Sequence, residues 1–280
     1  MKVLVTGAAG YVGQLLCPLL DAAGHTVRAL DLVQAPGVES FDVVSEDFPL
    51  EGIDAVVPLA SYVGPKCEQA PALAKVVNET AAIRLAKQLD GRRCVCLTTD
   101  SGYPPGDAVA EDAPFEPRSV YARTKAAGTE ALRDVGATVF RLGSLFGVSP
   151  CMRDDLLLHF LTRYAVTHAR MPVIRGATGR GLTRRSFVHI RDVCQSVLVA
   201  LEHTGSVGQT YNLVSPDRLT KVGVAHTVQL VADVPPEVCV EPDDDMDGRD
   251  FWLDGSKWGV CPTRIAAALP VLCDYYRRRM

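Results

Sequence analysis

Residues 2–13 read KVLVTGAAGYVG and residues 26–31 read TVRALD. The first stretch is an apolar run, Lys2–Val5, that breaks at once into Gly7, Gly10 and Gly13 at three-residue spacing. Glycines there permit a tight turn, close approach of a pyrophosphate to the backbone, and close helix–sheet contact. A helix opening at Gly13 would aim its free N–H groups and positive dipole end at that pyrophosphate. Asp31 ends a second strand, Val27–Leu30, where a carboxylate accepts hydrogen bonds from both adenosine ribose hydroxyls and repels a 2′-phosphate. Arg28 lies back on the strand rather than in the loop where it would serve a phosphate, so the pattern selects NAD over NADP. Gly7, Gly10, Tyr11, Val12, Gly13 and Asp31 are therefore the first candidate cofactor residues.

Outward from this turn, short apolar runs alternate with helical stretches, the pattern of βαβ units and a parallel sheet. Strands are expected at Phe41–Val44 (weakly marked), Ala55–Leu59, Cys94–Leu97 and Thr138–Leu142, with helices at Gly13–Ala23, Ala72–Leu89 and Val120–Val135. The strands carry little polar content, as strands covered by helices on both faces do. After Gly147 the pattern loosens into helices at Asp154–His168, Arg191–Glu202, Lys221–Val231 and near Arg264–Tyr276, with strands at Ser186–Ile190 and Thr210–Leu213. The expected class is α/β, a doubly wound parallel Rossmann sheet with a small C-terminal substrate lobe. Residues 1–147 would bind the cofactor, and 148–280 would form mainly the substrate lobe, with later segments free to rejoin the sheet.

Composition narrows the function classes. The 280 residues are 48% hydrophobic and 22% charged, with net charge −4. Mean hydropathy is +0.11 and the isoelectric point about 5.9. That balance argues against a nucleic-acid or anionic-membrane binder. No signal-peptide pattern opens the chain and no apolar run approaches a membrane span, so a cytoplasmic protein is expected. Nine cysteines without CxxC spacing read as small apolar residues in a reducing compartment, with no metal site. The acidic run from Glu241 to Asp250 fits no calcium-loop template and reads as a solvated loop. Arginine outnumbers lysine 22 to 7, and six arginines fall between Arg170 and Arg191 with no acidic residue among them. Such a segment can build an anion site.

Tyr121-Ala-Arg-Thr-Lys125 places a phenol and an ammonium on one helical face. The ammonium lowers the phenol's ionisation range and makes Tyr121 a workable base. The strand before it ends Leu97-Thr98-Thr99-Asp100-Ser101-Gly102-Tyr103, with hydroxyls at the sheet edge where ligands bind.

In this order, TGxxGxxG, the acidic end of strand two, the threonine-rich strand, YxxxK and RRSFVHIRDV resemble the extended short-chain dehydrogenase/reductase family, nucleotide-sugar epimerase/dehydratase branch. The resemblance runs from Met1 to about Lys257. It implies tightly bound NAD, Thr99 as catalytic hydroxyl, Tyr121 as acid/base and Lys125 as the ribose-binding electrostatic partner. It also places Ala60, Ser61 and Asn78 beside the cofactor, and either Asp42-Val43 or Asp47-Phe48 at the adenine. Arg185 matches a phosphate-binding arginine before FVHI, Arg153 is a further anion contact, and Asp100 and Ser144 join Thr99 on the substrate side. Relatives use the outer faces of the Lys75–Leu89 and Tyr121–Val135 helices for a homodimer, although burial under the chain's own sheet explains the same apolar pattern.

Several positions depart from the pattern: Pro58 for a histidine, Asp100 for a small residue, Ser144 for an asparagine, and Asp244 for an arginine eight residues before Trp252. The implied reaction is transient oxidation at a sugar carbon of a nucleotide sugar. Tyr121 takes the hydroxyl proton and Thr99 steadies the developing oxyanion, while NAD serves as hydride acceptor. Epimerisation at C4 is expected. Dehydrogenase, reductase or dehydratase action on a sugar, uronate or sugar nucleotide is the alternative, and dehydration lacks the second acid because Ser101 follows Asp100.

Overall fold

Val3, Leu4 and Val5 have no exposed surface, so the first strand is covered on both faces. The computed structural model describes residues 1–176, 183–235, 240–242, 250–259 and 261–280, with backbone alone for 175–176 and 240–242. Its main sheet takes seven strands: β1 (Lys2–Thr6), β2 (Thr26–Asp31), β3 (Glu39–Ser40), β4 (Ala55–Pro58), β5 (Arg93–Thr99), β6 (Thr138–Leu142) and β7 (Thr210–Leu213). They lie in the order β7-β6-β5-β4-β1-β2-β3, every pairing parallel. Strand order reverses between β1 and β4, so a crevice opens at their C-terminal ends.

On one face, Leu16 and Leu20 of α1 (Gly13–Ala22) join Val193, Val197 and Leu201 of an α5 helix (Ile190–Glu202) over Val3, Val5, Val57 and Phe140. On the other, Leu85 of α2 (Ala81–Gln88) and Leu132 of α3 (Val120–Asp134) cover Leu4, Val56, Cys94 and Cys96. This is the doubly wound Rossmann arrangement expected from the sequence. A further core joins α4 (Leu157–His168), α6 (Lys221–Ala232) and α7 (Ile265–Arg277) around Phe146 and Phe187. The late segment rejoins the sheet, because β7 pairs with β6 and α5 packs on α1.

Three local expectations need correction. The third strand is Glu39–Ser40, not Phe41–Val44. Asp42 ends it: its carboxylate accepts from the Val44 N–H (2.8 Å) and the Ser45 hydroxyl (2.9 Å), closing an Asx turn that competes with the strand ladder. The helix expected from Ala72 to Leu89 is interrupted by a π turn at Val76–Thr80, centred on Asn78. The helix expected from Asp154 begins at Leu157, because Arg153 and Asp155 pair with each other and Asp154 accepts from Tyr276 Oη at 2.7 Å.

The Glu241–Asp247 part of the acidic run and Asp244 lie outside the residues whose side chains are described. Among the described residues no group of three His, Cys, Asp or Glu side chains could hold a metal. Among them, too, no helix is long and apolar enough to cross a membrane.

Candidate active site

The glycine turn leaves no room for side chains. Gly7 has φ +71°, and a Cβ there would lie 2.5 Å from the Ala60 amide nitrogen. A Cβ on Gly13 would meet the Gly7 carbonyl at 2.5 Å, and Gly10 donates its N–H to that carbonyl at 3.1 Å. Gly7→Ala is therefore expected to weaken NAD binding by more than tenfold and to lower Tm, read by calorimetric titration and by thermal melting of the apoprotein.

Asp31 closes the cradle. Its two carboxylate oxygens accept the Ala9 N–H (2.9 Å) and the Val33 N–H (3.0 Å), which fixes the group at the loop and leaves acceptor capacity on both oxygens. Arg28 is paired with Glu39 through Nε and Nη2 (2.9 Å for the latter), so it points away from this duty. Asp31→Ala is expected to narrow the preference for NAD over NADP by about tenfold, close to 1.4 kcal/mol, when the two dissociation constants are compared.

Tyr11 ties this loop to the second half of the chain. Its hydroxyl donates to the Gly147 carbonyl at 2.7 Å, and Ser149 Oγ donates to the Tyr11 carbonyl at 2.7 Å. Burial holds the Tyr11 phenol far above its ordinary range, so it stays a donor and is no acid/base candidate. Val12 is half-buried at the start of α1, where its carbonyl accepts from the Leu16 N–H at 2.9 Å.

Asn78 is a second node. Its Oδ1 accepts from Ser61 Oγ and from the Tyr62 N–H, both at 2.9 Å, and its Nδ2 donates to the Tyr62 carbonyl at 2.8 Å and to Thr124 Oγ1 at 3.2 Å. Thr124 in turn donates within α3 to Val120 and Tyr121 carbonyls. The π turn thus brings Ser61, Asn78 and the Tyr121–Lys125 helix together. Ser119 caps that helix, its Oγ accepting the Ala122 N–H at 3.1 Å. Lys125 lines a cavity of about 30 Å³ with Ala60, Asn78, Pro58 and Cys96, and Val43 and Phe48 line the same cavity. Asp42 is engaged in its own turn, whereas Asp47 is exposed beside Arg84. Burial pushes the Cys96 thiol up against the opposing pull of the Lys125 ammonium.

Thr99 ends β5, 7% exposed, with Asp100 beside it at 3%. Its Oγ1 accepts the Ser101 N–H at 3.1 Å and donates to Ser101 Oγ at 2.9 Å. Tyr103 is a structural anchor: its hydroxyl donates to Asn212 Oδ1 on β7 (2.9 Å) and accepts from Arg141 (2.6 Å), whose guanidinium lies over the Phe115 ring. Ser144 opens a short strand, Ser144–Phe146, beside Phe187–His189.

The arginine cluster divides. Arg184 pairs outward with Asp250 and Asp107, while Arg185, its neighbour on the same strand, is 5% exposed. Arg170 and Arg191 are exposed, and the side chains of Arg175 and Arg180 lie outside those described. His189 ends the short strand Phe187–His189 and caps α5, its Nδ1 accepting the Arg191 N–H at 3.4 Å, and it rests edge-on against Phe146.

Arg153 is clamped by Asp155, Nε to Oδ1 at 2.6 Å and Nη2 to Oδ2 at 2.5 Å. Sequence reading missed Asp155 and His159. His159 has no exposed surface and bonds both the Gly147 N–H (3.1 Å) and the Arg153 carbonyl (2.9 Å). Its only sequence signal is a histidine on the apolar face of α4. Burial holds the His159 imidazole below 6.5, so the unfolded chain binds its proton first and stability falls as pH drops through 6.5. His159→Gln is expected to flatten the dependence of Tm on pH between 7.5 and 5.5.

Comparison with known proteins matches residues 3–213 to the model of the NAD dependent epimerase/dehydratase family. The chain belongs to that family. Among its relatives, UDP-glucose 4-epimerase of Mycolicibacterium smegmatis is 33% identical over 244 residues, 76% of this chain and 77% of that protein. dTDP-4-dehydrorhamnose reductase of Streptomyces griseus is 37% identical over 142 residues, 47% of this chain and 45% of that protein. This second match thus spans less than half of the reductase. The solved UDP-glucuronic acid 4-epimerase from Bacillus cereus in complex with NAD superposes with TM-score 0.85 at 21% identity, covering 100% and 99% of the two chains, a likeness of fold. The residues of this epimerase/dehydratase family member suit the family's cofactor, NAD: a side-chain-free cradle at Gly7 and Gly13, and a fixed carboxylate at Asp31.

Proposed function

We propose that the chain epimerises a nucleotide sugar at C4 through a transient 4-ketone, with Tyr121 as acid/base, Lys125 as its electrostatic partner and Thr99 as the hydroxyl beside the reacting oxygen. The observation that carries this reading is the convergence on α3: Asn78 joins the Ser61 loop to Thr124, and Lys125 shares a cavity with Ala60 and Asn78. The likeness to UDP-glucose 4-epimerase over three-quarters of both chains supports the choice of reaction.

In this reading Gly7, Gly10, Tyr11, Val12, Gly13, Asp31, Ala60, Ser61, Asn78, Tyr121 and Lys125 hold NAD, which supplies a reversible hydride acceptor when bound. The chain's own contribution is the proton. Tyr121 removes it from the C4 hydroxyl and returns it, and the Lys125 ammonium favours the phenolate. Thr99 must turn its proton from Ser101 towards the sugar oxygen to stabilise developing charge there. Arg185 offers a cation to the diphosphate, with Ser144 and Asp100 on the same side. Residues 1–147 hold the cofactor and 148–280 mainly the sugar nucleotide. A cytoplasmic homodimer completes the proposal, with light scattering as its check.

A second reading, reduction of a keto sugar nucleotide, is favoured by the higher identity to dTDP-4-dehydrorhamnose reductase over a shorter stretch of 142 residues. Mass spectrometry of ligands released on denaturing the purified protein separates the two. Retained NAD with a sugar nucleotide supports epimerisation, whereas NADH oxidised in stoichiometric amounts by a 4-keto sugar nucleotide supports the reductase and overturns the first reading.

A further inference from the structure

The segment from Phe41 to Phe48 begins directly beside Asp31, since the Phe41 N–H donates to the Asp31 carbonyl at 2.9 Å. Local bonds fold it back on itself. The Asp42 carbonyl accepts the Ser45 and Glu46 N–H groups (3.3 and 3.1 Å), and the Asp42 N–H donates to Glu46 Oε1 at 2.8 Å. Helix α2 then holds it from outside. Arg84 Nη1 donates to the Val44 carbonyl at 2.9 Å and Nη2 to the Val43 carbonyl, while Gln88 Oε1 accepts the Phe48 N–H at 3.2 Å. Arg84 and Gln88 are one turn apart and share a face of α2. The Arg84 guanidinium also lies 5.6 Å from the centroid of the buried Phe48 ring.

A planar fork on two consecutive carbonyls fixes direction as well as distance. The groups it leaves facing the cofactor side are specific. Val43 is half-buried on the cavity shared with Thr6 and Ala60, and among the described residues its N–H meets no acceptor. Such a donor usually finds a partner, so this one is available to a ligand. Each oxygen of the Asp42 carboxylate holds one donor, which leaves acceptor capacity on both. Donor and acceptor side by side match the edge of adenine, whose N1 accepts and whose 6-amino group donates. Asp47-Phe48 offers no such edge: Gln88 takes the Phe48 N–H, and Asp47 is exposed with Oδ1 4.0 Å from Arg84 Nε.

We propose that Arg84 is a positioning residue for the adenine of NAD, gripping the Val43 and Val44 carbonyls so that the Val43 N–H and the Asp42 carboxylate present one edge to the base. The proposal rests on the reading that Asp31 holds the adenosine ribose, which puts the base beside this segment; it does not depend on C4 epimerisation. Because α2 runs on from the π turn at Asn78, the adenine wall and the Ser61 loop hang on the same stretch of helix.

Nicotinamide hypoxanthine dinucleotide is the probe. Hypoxanthine carries N1–H where adenine accepts and a carbonyl where adenine donates, so both bonds are reversed. Calorimetric titration of the nucleotide-free protein compares its affinity with that of NAD. The parent is expected to prefer NAD by about tenfold or more, as a site with two mismatched polar groups should. Arg84→Met keeps the aliphatic stem and removes both donors, and its preference is expected to fall to about twofold or less. Arg84→Lys keeps the charge but cannot span two carbonyls with a planar fork, so it should lie between. Asp31→Ala is the control, weakening both dinucleotides alike and leaving the preference intact. Lost stability alone would weaken both by the same factor, so the ratio separates positioning from folding. A parent without preference, or either Arg84 variant with the parent's preference, overturns the proposal, and the ribose reading survives if Asp31→Ala is still weakened. Parental affinity for both dinucleotides in Asp31→Ala would overturn the ribose reading and the proposal with it.

Discussion

Tyr121→Phe is expected to lower kcat about a thousandfold, within the range that a positioned acid/base contributes. The ring is retained and half-buried on α3, so packing is preserved and Tm should be unchanged. The affinity for NAD should fall little, because the glycine cradle and Asp31 are untouched. Lys125→Met should differ in kind, lowering kcat and weakening NAD together, since Lys125 is the residue of the pair that lines the cavity with Asn78 and Ala60. Steady-state kinetics and calorimetric titration of both variants check this split. Turnover unaltered in Tyr121→Phe would remove the basis of the mechanism.

The largest loss of stability is expected from Gly128→Ala. A Cβ at Gly128 would lie 2.1 Å from the Asn78 carbonyl oxygen and 2.9 Å from Ala82 Cβ. Neither neighbour is the end of a flexible side chain, so α3 must separate from the π turn. Overpacking of this kind costs about 3 kcal/mol, which lowers Tm by roughly 5–10 °C for a chain of this size. The damage reaches function as well. Asn78 holds the Ser61–Tyr62 loop by hydrogen bonds, and displacing it loosens the wall next to Lys125. Thermal melts and NAD titration of the variant should fall together. A parent-like Tm would show that the two helices have slack that the packing does not suggest.

The fold was legible where the constraint is local. Gly13 must lack a Cβ because its own turn has no space, and Gly7 because its φ of +71° and the Ala60 backbone leave none, so the glycine spacing is visible in a seven-residue stretch. Asp31 and the Tyr121–Lys125 spacing are equally short-range. The Asx turn at Asp42 was missed because an apolar run from Phe41 to Val44 hid a carboxylate that prefers its own backbone. The π turn at Asn78 was missed because a helical pattern does not register one extra residue per turn. The pairing of Gly106–Val109 with Phe251–Leu253 joins segments far apart in the chain, and neither is long enough to announce a strand. The same holds for the node of Tyr11, Gly147 and His159, in which Tyr11 is more than a hundred residues from the other two and meets them only once α4 folds over the cofactor turn. Arg153 was legible as a cation; the carboxylate that clamps it two residues later gave no signal of its own.

The central claim is oxidation and re-reduction at a single sugar carbon. UDP- and dTDP-hexoses carrying deuterium at C4, incubated with the protein and NAD, test it directly when products are followed by NMR. The account predicts interconversion of C4 epimers with the label kept at C4, no net NADH, and no reaction in Tyr121→Phe. Label found at C6, label lost into accumulating NADH, or bound NAD with no turnover of any labelled hexose would contradict it.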